Sequence, residues 1–145
     1  MLDIQFKEVS YHSIEYQQTL QLRNKILRVP LGLNLHISPE DHEEISFHLV
    51  ASLGDEVVAC LVLKPISKDV VKLRQMAVKQ ELQGQKLGSR LVQYAEQSAK
   101  SRGFKEIVLH ARLHAGPFYQ SLGYEPFGEV FSEVTIPHLA YRKLL

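Results

Sequence analysis

The stretch between residues 70 and 99 constrains this chain more than any other. A strand-like run, Val70 to Val78, leads through Lys79 to Leu82 into Gln83, Gly84, Gln85, Lys86, Leu87, Gly88 and Ser89. The apolar positions Leu87, Leu91, Val92, Ala95 and Ala99 then mark one face of a helix, expected to stop at Gly103 because glycine accepts the left-handed cap geometry. A strand, a glycine-bearing loop and a helix start in succession aim several backbone N–H groups and the positive helix end at one spot, which suits a pyrophosphate. Glycine at 84 and 88 lets the backbone approach an anion without an intervening Cβ, and Lys86 adds a point charge. The loop is not a Walker loop, since its lysine does not follow the second glycine, and it lacks the third glycine of a dinucleotide fingerprint. Taken alone, it reads equally well as a glycine turn that starts a helix.

The other elements fall in order around it. Ile4 to Val9 reads as a strand, and after Ser13 the residues Tyr16, Leu20 and Leu27 keep helical spacing until Pro30 and Gly32. A second helical piece starts at Ser38, an N-cap followed by Pro39, Glu40 and Asp41. Three strands in a meander follow, Phe47 to Ala51, Glu56 to Lys64 and Val70 to Val78, the first two parted by Gly54 and Asp55. Beyond the long helix come a strand at Glu106 to His110, a short helix from Pro117 to Gly123, and strands at Glu125 to Val130 and Pro137 to Lys143. The reading is a single α+β domain over residues 1–145, with a mixed sheet of six to seven strands flanked by about four helices.

Composition narrows the function classes. Seventeen basic and 16 acidic residues give a net charge of +1, and 45% of residues are hydrophobic. Lysines and arginines are scattered, so no nucleic-acid footprint is expected. No apolar run reaches membrane-spanning length, and Met1, Leu2, Asp3 and Ile4 do not open a leader, so a cytoplasmic location without membrane contact is expected. The lone Cys60 lies in an apolar run and reads as a small buried hydrophobe. His110 and His114 stand four apart, but across a strand end and a loop, so no metal site is expected from them.

The order of elements, the loop at 83–89 and the later run Ala115, Gly116, Pro117, Phe118, Tyr119, Gln120, Ser121, Leu122, Gly123, Tyr124 together resemble the GNAT family of N-acetyltransferases over essentially the whole chain. Gln83 and Gly88 match the first and last positions of that family's loop, and Lys86 stands where its central glycine is usual. The ending Glu133, Val134, Thr135, Ile136, Pro137, His138 is similar to the bacterial ElaA-like branch. The resemblance implies an acyl-CoA N-acyltransferase fold and acetyl-CoA as co-substrate. It implies that Met76, Ala77 and Val78 offer their backbone to the pantetheine arm as an added strand edge, and that Gln83 to Ser89 hold the pyrophosphate. It further implies that Tyr119 is the general acid that reprotonates the departing thiolate, that His114 contacts the cofactor where asparagine is usual, and that the chain forms a homodimer through its C-terminal strands. A tyrosine packed in a helix, with its hydroxyl tied to a backbone group, is the plainer reading of Tyr119.

The implied reaction is direct attack of a primary amine, small molecule or peptide, on the thioester carbonyl. An alkyl ammonium must first lose its proton, at about 4–5 kcal/mol near neutral pH. Arg74 and Gln75 occupy the strand where a carboxylate could have served. His110, His138, His48, Glu43, Glu44 and a water chain are the candidate bases, and a backbone N–H near Val78 is the candidate oxyanion donor. The segment from Arg23 to Leu35, with Arg28, Pro30, Leu31 and Gly32, reads either as the rim of the amine site or as an ordinary helix connection. Two alternatives compete with the enzyme: a non-catalytic acyl-CoA-binding or sensing module on the same fold, and a phosphate or nucleotide binder that uses the loop alone.

Overall fold

The computed structural model describes residues 3–145; Met1 and Leu2, part of the N-terminal stretch read as lacking a leader, lie outside the described residues. The strands are β1 (Ile4–Val9), β2 (Phe47–Leu53), β3 (Glu56–Pro65), β4 (Val70–Val78), β5 (Glu106–Arg112), β6 (Glu125–Glu133) and β7 (Ile136–Leu144). The α-helices are α1 (Ile14–Arg23), α2 (Leu87–Ser101) and α3 (Gly116–Ser121). The strands form one sheet in the order β1-β2-β3-β4-β5-β7-β6. Among the described pairings, only β4 with β5 is parallel, and α2 supplies its crossover.

Burial explains the layering. Residues Val57 to Leu63 of β3 are all buried, because the centre of the sheet is covered on both faces. A continuous apolar run, with no polar alternation, is what such a strand requires. One face carries α2, whose Leu87, Leu91, Val92, Ala95 and Ala99 enter the larger core with Leu61, Leu63, Val71 and Ile107. The other face carries α1, over a smaller cluster of Val9, Val50, Val57, Cys60 and Ala77. Cys60 is buried, and burial pushes its thiol up to about 12, so it packs as a hydrophobe. No helix among the described residues is long and apolar enough to cross a membrane.

Three departures from the sequence reading bear on the site. First, the helical piece after Ser38 is two 3-10 turns, Pro39–Asp41 and Glu43–Ile45, parted by His42 at φ 50. The expected cap is present: the Ser38 N–H donates to the Asp41 carboxylate at 2.9 Å. The left-handed His42 nonetheless stops the first turn after three residues, and the second turn buries Glu43. Second, α1 runs into a wider π-type segment, Asn24–Arg28, and a 3-10 turn, Val29–Leu31. Third, β5 and β6 extend beyond the expected ends to Arg112 and Glu133. The β6–β7 hairpin turns on Val134 and Thr135, both at positive φ (44 and 62). Two-residue hairpins demand that backbone, and a β-branched valine adopts it only under strain.

Candidate active site

The parallel pairing of β4 with β5 covers Val70↔Glu106 to Leu73↔Leu109 and then ends. Beyond it, β4 follows β3 and β5 follows β7, so the strands part and their facing edges are not paired with each other. A bulge sharpens the divergence. Cys60 pairs with Ala77 and Val62 with Arg74, so β4 holds one extra residue there, and Gln75 sits at φ 49.

Three hollows follow this gap. The first, about 350 Å³, is the loop cradle, lined by Met76, Val78, Gln83, Gly84, Lys86, Leu87, Gly88 and Ser89, with Leu82 and Phe118. Gln83 donates its side-chain amide to the Val78 carbonyl at 3.0 Å, tying loop to strand. Lys86 is the N-cap of α2 at φ 65, the left-handed region that favours glycine, which accounts for glycine being usual at this position in the family. A Cβ on Gly88 would meet Phe118, Met76 and Val78 at 3.6–3.8 Å, so a side chain there fills the cradle. Unpaired strand edge, open glycine floor and helix start together fit a pantetheine arm with its pyrophosphate. Two of the expected residues turn elsewhere. Ala77 packs its methyl beneath α1, leaving only its backbone for the gap, and Gln85 is exposed, with its amide donated to the Glu81 carbonyl.

The second hollow, about 380 Å³, shares Met76 and Phe118 with the cradle and holds Tyr119, His114, His110 and His138. The Tyr119 ring is 8% exposed and packs edge-on against Phe118 and Tyr124. Burial alone pushes its hydroxyl up to about 12, so it stays protonated near neutral pH. That hydroxyl makes no hydrogen bond among the described residues, unlike Tyr124, whose hydroxyl donates to Glu96 at 2.8 Å. The plainer reading of Tyr119, a hydroxyl tied to backbone, therefore does not describe it. His114 is exposed on the 3-10 turn Leu113–Ala115.

The third hollow, about 320 Å³, shares Arg28, Gln75, His110 and Glu133 with the second and adds Asp41, Lys72 and Arg74. Along β5, His110 and Arg112 alternate with the buried Leu109 and Ala111 and so share the face opposite the core. His110 Nδ1 lies 3.0 Å from Glu133 Oε1, and His138 Nε2 lies 3.7 Å from Glu133 Oε2. Partial burial would raise the Glu133 pKa, but the hydrogen bond from His110 and the charges of His110, His138 and Lys72 bring it below the ordinary value.

The other candidate bases lie elsewhere. His48 is buried, with Nε2 donating to the Glu43 carbonyl at 2.7 Å. Burial lowers its pKa. Glu43 accepts from the two terminal guanidinium nitrogens of Arg23 at 2.9 and 3.0 Å and from the Tyr16 hydroxyl at 2.7 Å. Arg23 is wholly buried and also donates to the Gln75 side chain, which anchors the bulge. Glu44 is exposed beside His42. Glu133, Lys72 and Arg112 were not singled out as site residues by the sequence, and Glu43, a candidate base there, was not expected to pair with Arg23. The alternation along β5 was the available signal for Arg112; Glu133 depends on the hairpin register.

A seven-stranded mixed sheet parted above a glycine-floored cradle, with a polar cleft at the other end of the gap, is the acyl-CoA N-acyltransferase fold. The model of the acetyltransferase (GNAT) family matches residues 12–124. The N-acetyltransferase YitI of Bacillus subtilis is 30% identical over 125 residues, covering 82% of this chain and 84% of that protein. The crystal structure of Escherichia coli ElaA superposes with a TM-score of 0.84 at 25% identity, covering 97% of this chain and 99% of the other. A GNAT acetyltransferase from Elizabethkingia anophelis, solved with acetyl-CoA bound, superposes at 0.75 with 17% identity, covering 99% of each chain. The chain belongs to the GNAT acetyltransferase family, in its ElaA-like branch, and is an acetyl-transferring enzyme.

Proposed function

We propose that this protein transfers the acetyl group of acetyl-CoA to a primary amine by direct attack, with both substrates held along the gap between β4 and β5. The observation that carries this reading is the continuity of the three hollows, from cradle through Tyr119 to the polar cleft. Acetyl-CoA supplies an activated thioester: the amine nitrogen bonds to its carbonyl carbon, the C–S bond breaks, and a thiolate leaves.

The chain's own groups manage orientation and protons. Main-chain N–H groups of residues 83–89, with the Lys86 charge, hold the diphosphate at the start of α2. The free β4 edge beyond Leu73 aligns the pantetheine arm, and a backbone N–H near Val78 faces the carbonyl oxygen. Tyr119 Oη donates its proton to the leaving sulfur. His110 donates Nδ1–H to Glu133, and its Nε2 takes the ammonium proton.

Calorimetric titration with acetyl-CoA, CoA and ADP, followed by thiol release across an amine panel, tests the reading. Binding that requires the pantetheine arm, and turnover lost in Tyr119→Phe with acetyl-CoA affinity kept, are the expected results. Binding without turnover on any amine would leave a CoA-binding module, and ADP binding as well as CoA would leave a nucleotide binder.

A further inference from the structure

The third hollow carries an imbalance of charge that the transfer reaction does not use. Three cationic side chains line it, Arg28, Lys72 and Arg74, against two carboxylates, Asp41 and Glu133. Asp41 is occupied by Arg74, whose NH2 lies 2.8 Å from Oδ1, and by the Ser38 N–H. Glu133 is occupied by the two histidines. Among the described residues, Arg28 and Lys72 have no carboxylate within ion-pair distance, nor does Arg112, which lines the adjoining hollow. Arg28 and Arg112 each donate only to the Leu27 carbonyl, at 3.2 and 3.0 Å, which brings two guanidinium groups together at one oxygen. Burial lowers the pKa of Arg28, and the neighbouring Arg112 lowers it further. Burial does the same to Lys72. Half-buried cations that feel Glu133 only beyond ion-pair distance are disfavoured by desolvation and by one another, and an anion between them relieves both.

From this we infer that the amine substrate also carries a carboxylate, as a free amino acid does, with its acid group held by Arg28, Lys72 and Arg112 and its amine toward His110. This rests on the amine-acetylation reading above. A hollow of about 320 Å³ suits one amino-acid unit. Polyamines and other multiply cationic amines meet three unneutralised charges and are poor acceptors.

The test compares phenylalanine, phenylalaninamide and phenethylamine, with spermidine as the cationic case, by thiol release in wild type, Arg28→Gln and Arg28→Lys. The free acid should exceed its amide by about 10- to 100-fold in kcat/KM, the range of one or two charge-assisted hydrogen bonds. Arg28→Gln should collapse that ratio and Arg28→Lys should restore part of it. Equal or better use of the amide or of spermidine overturns the inference, as does a ratio unchanged in Arg28→Gln. A readout without turnover keeps the two proposals apart. Calorimetric titration of the enzyme–CoA complex with N-acetylphenylalanine and its amide should show binding that depends on the carboxylate and on Arg28. Such binding without turnover on any amine refutes the acetylation reading alone, and its absence overturns the carboxylate site.

Discussion

The buried pair under α1 yields a sharp test of how the fold supports the site. Glu43→Gln removes the charge that faces Arg23 while keeping the shape of the side chain. Arg23 is 0% exposed, so its guanidinium is left in the interior with only the Gln75 carbonyl and a neutral amide. Breaking a buried pair from one side costs about 3–5 kcal/mol. At this chain length each kcal/mol moves the melting temperature by about 2–4 °C, so thermal unfolding should fall by about 6–20 °C. Replacing both partners, Arg23→Met with Glu43→Leu, removes the stranded charge and should recover part of that loss, although the Tyr16 hydroxyl then loses its acceptor and Arg74 a nearby carboxylate. Acetyl transfer should stay low in the double variant, because Gln75 loses the anchor that holds the bulge beside Met76. Acid adds a second readout. Burial would raise the Glu43 pKa, but Arg23 and Tyr16 hold it below the ordinary 4.5. Its contribution is therefore complete above about pH 4.5 and fades as pH falls through the depressed value. The stability gap between wild type and Glu43→Gln should be constant near neutrality and narrow in that acid window. Urea titrations at several pH values measure it. A loss under about 1 kcal/mol, or a double variant as unstable as the single one, would refute the argument.

Three further outcomes are expected. Lys86→Gly relieves a left-handed lysine worth about 1–2 kcal/mol, less about 0.5–1 for the freer unfolded chain. Melting should rise slightly while acetyl-CoA affinity and its salt dependence fall, and unchanged affinity would remove Lys86 from the cradle. Val134→Asn with Thr135→Gly supplies residues that accept the hairpin turn and should stabilise the fold by about 1–3 kcal/mol in urea, whereas a lower midpoint would show that the turn is unstrained. A Cβ on Gly116 would overlap the Tyr141 hydroxyl. Gly116→Ala should therefore cost about 1–3 kcal/mol and move α3 with Tyr119, and adding Tyr141→Phe should recover part of it.

What the sequence discloses here tracks how local each cause is. α2 was legible because Leu87, Leu91, Val92, Ala95 and Ala99 follow the helix period and all reach the core. β1 and β4 matched residue for residue, and Gly103, at φ 89, ends α2 as expected. The failure after Ser38 was also local in origin: the cap is real, but His42 enters the left-handed region, and a cap does not fix what happens four residues on. The loop that lines the first hollow could be located from its own glycines, although taken alone it read equally well as a glycine turn. The polar cleft could not, because Glu133 reaches His110 only through the register of a hairpin 23 residues away in the chain. Glu43, one of the two acids among the candidate bases, is committed to Arg23 by packing across 20 residues, a partnership without periodic trace.

The four-residue parallel pairing of β4 with β5 also divides the molecule in a way that solvent exchange can see. On one side lies the meander β1–β4 under α1; on the other lie β5, β7 and β6. Among the described residues the backbone hydrogen bonds between β4 and β5 run from Asp69 to Leu73 and no further, so this junction is where amides are expected to open without global unfolding. Within residues 74–78 and 110–112, the amides that face the gap should exchange fast relative to those bonded to β3 and β7. Ligands that lie across both edges then act as the missing rungs, and their binding is read as slowed exchange along that line.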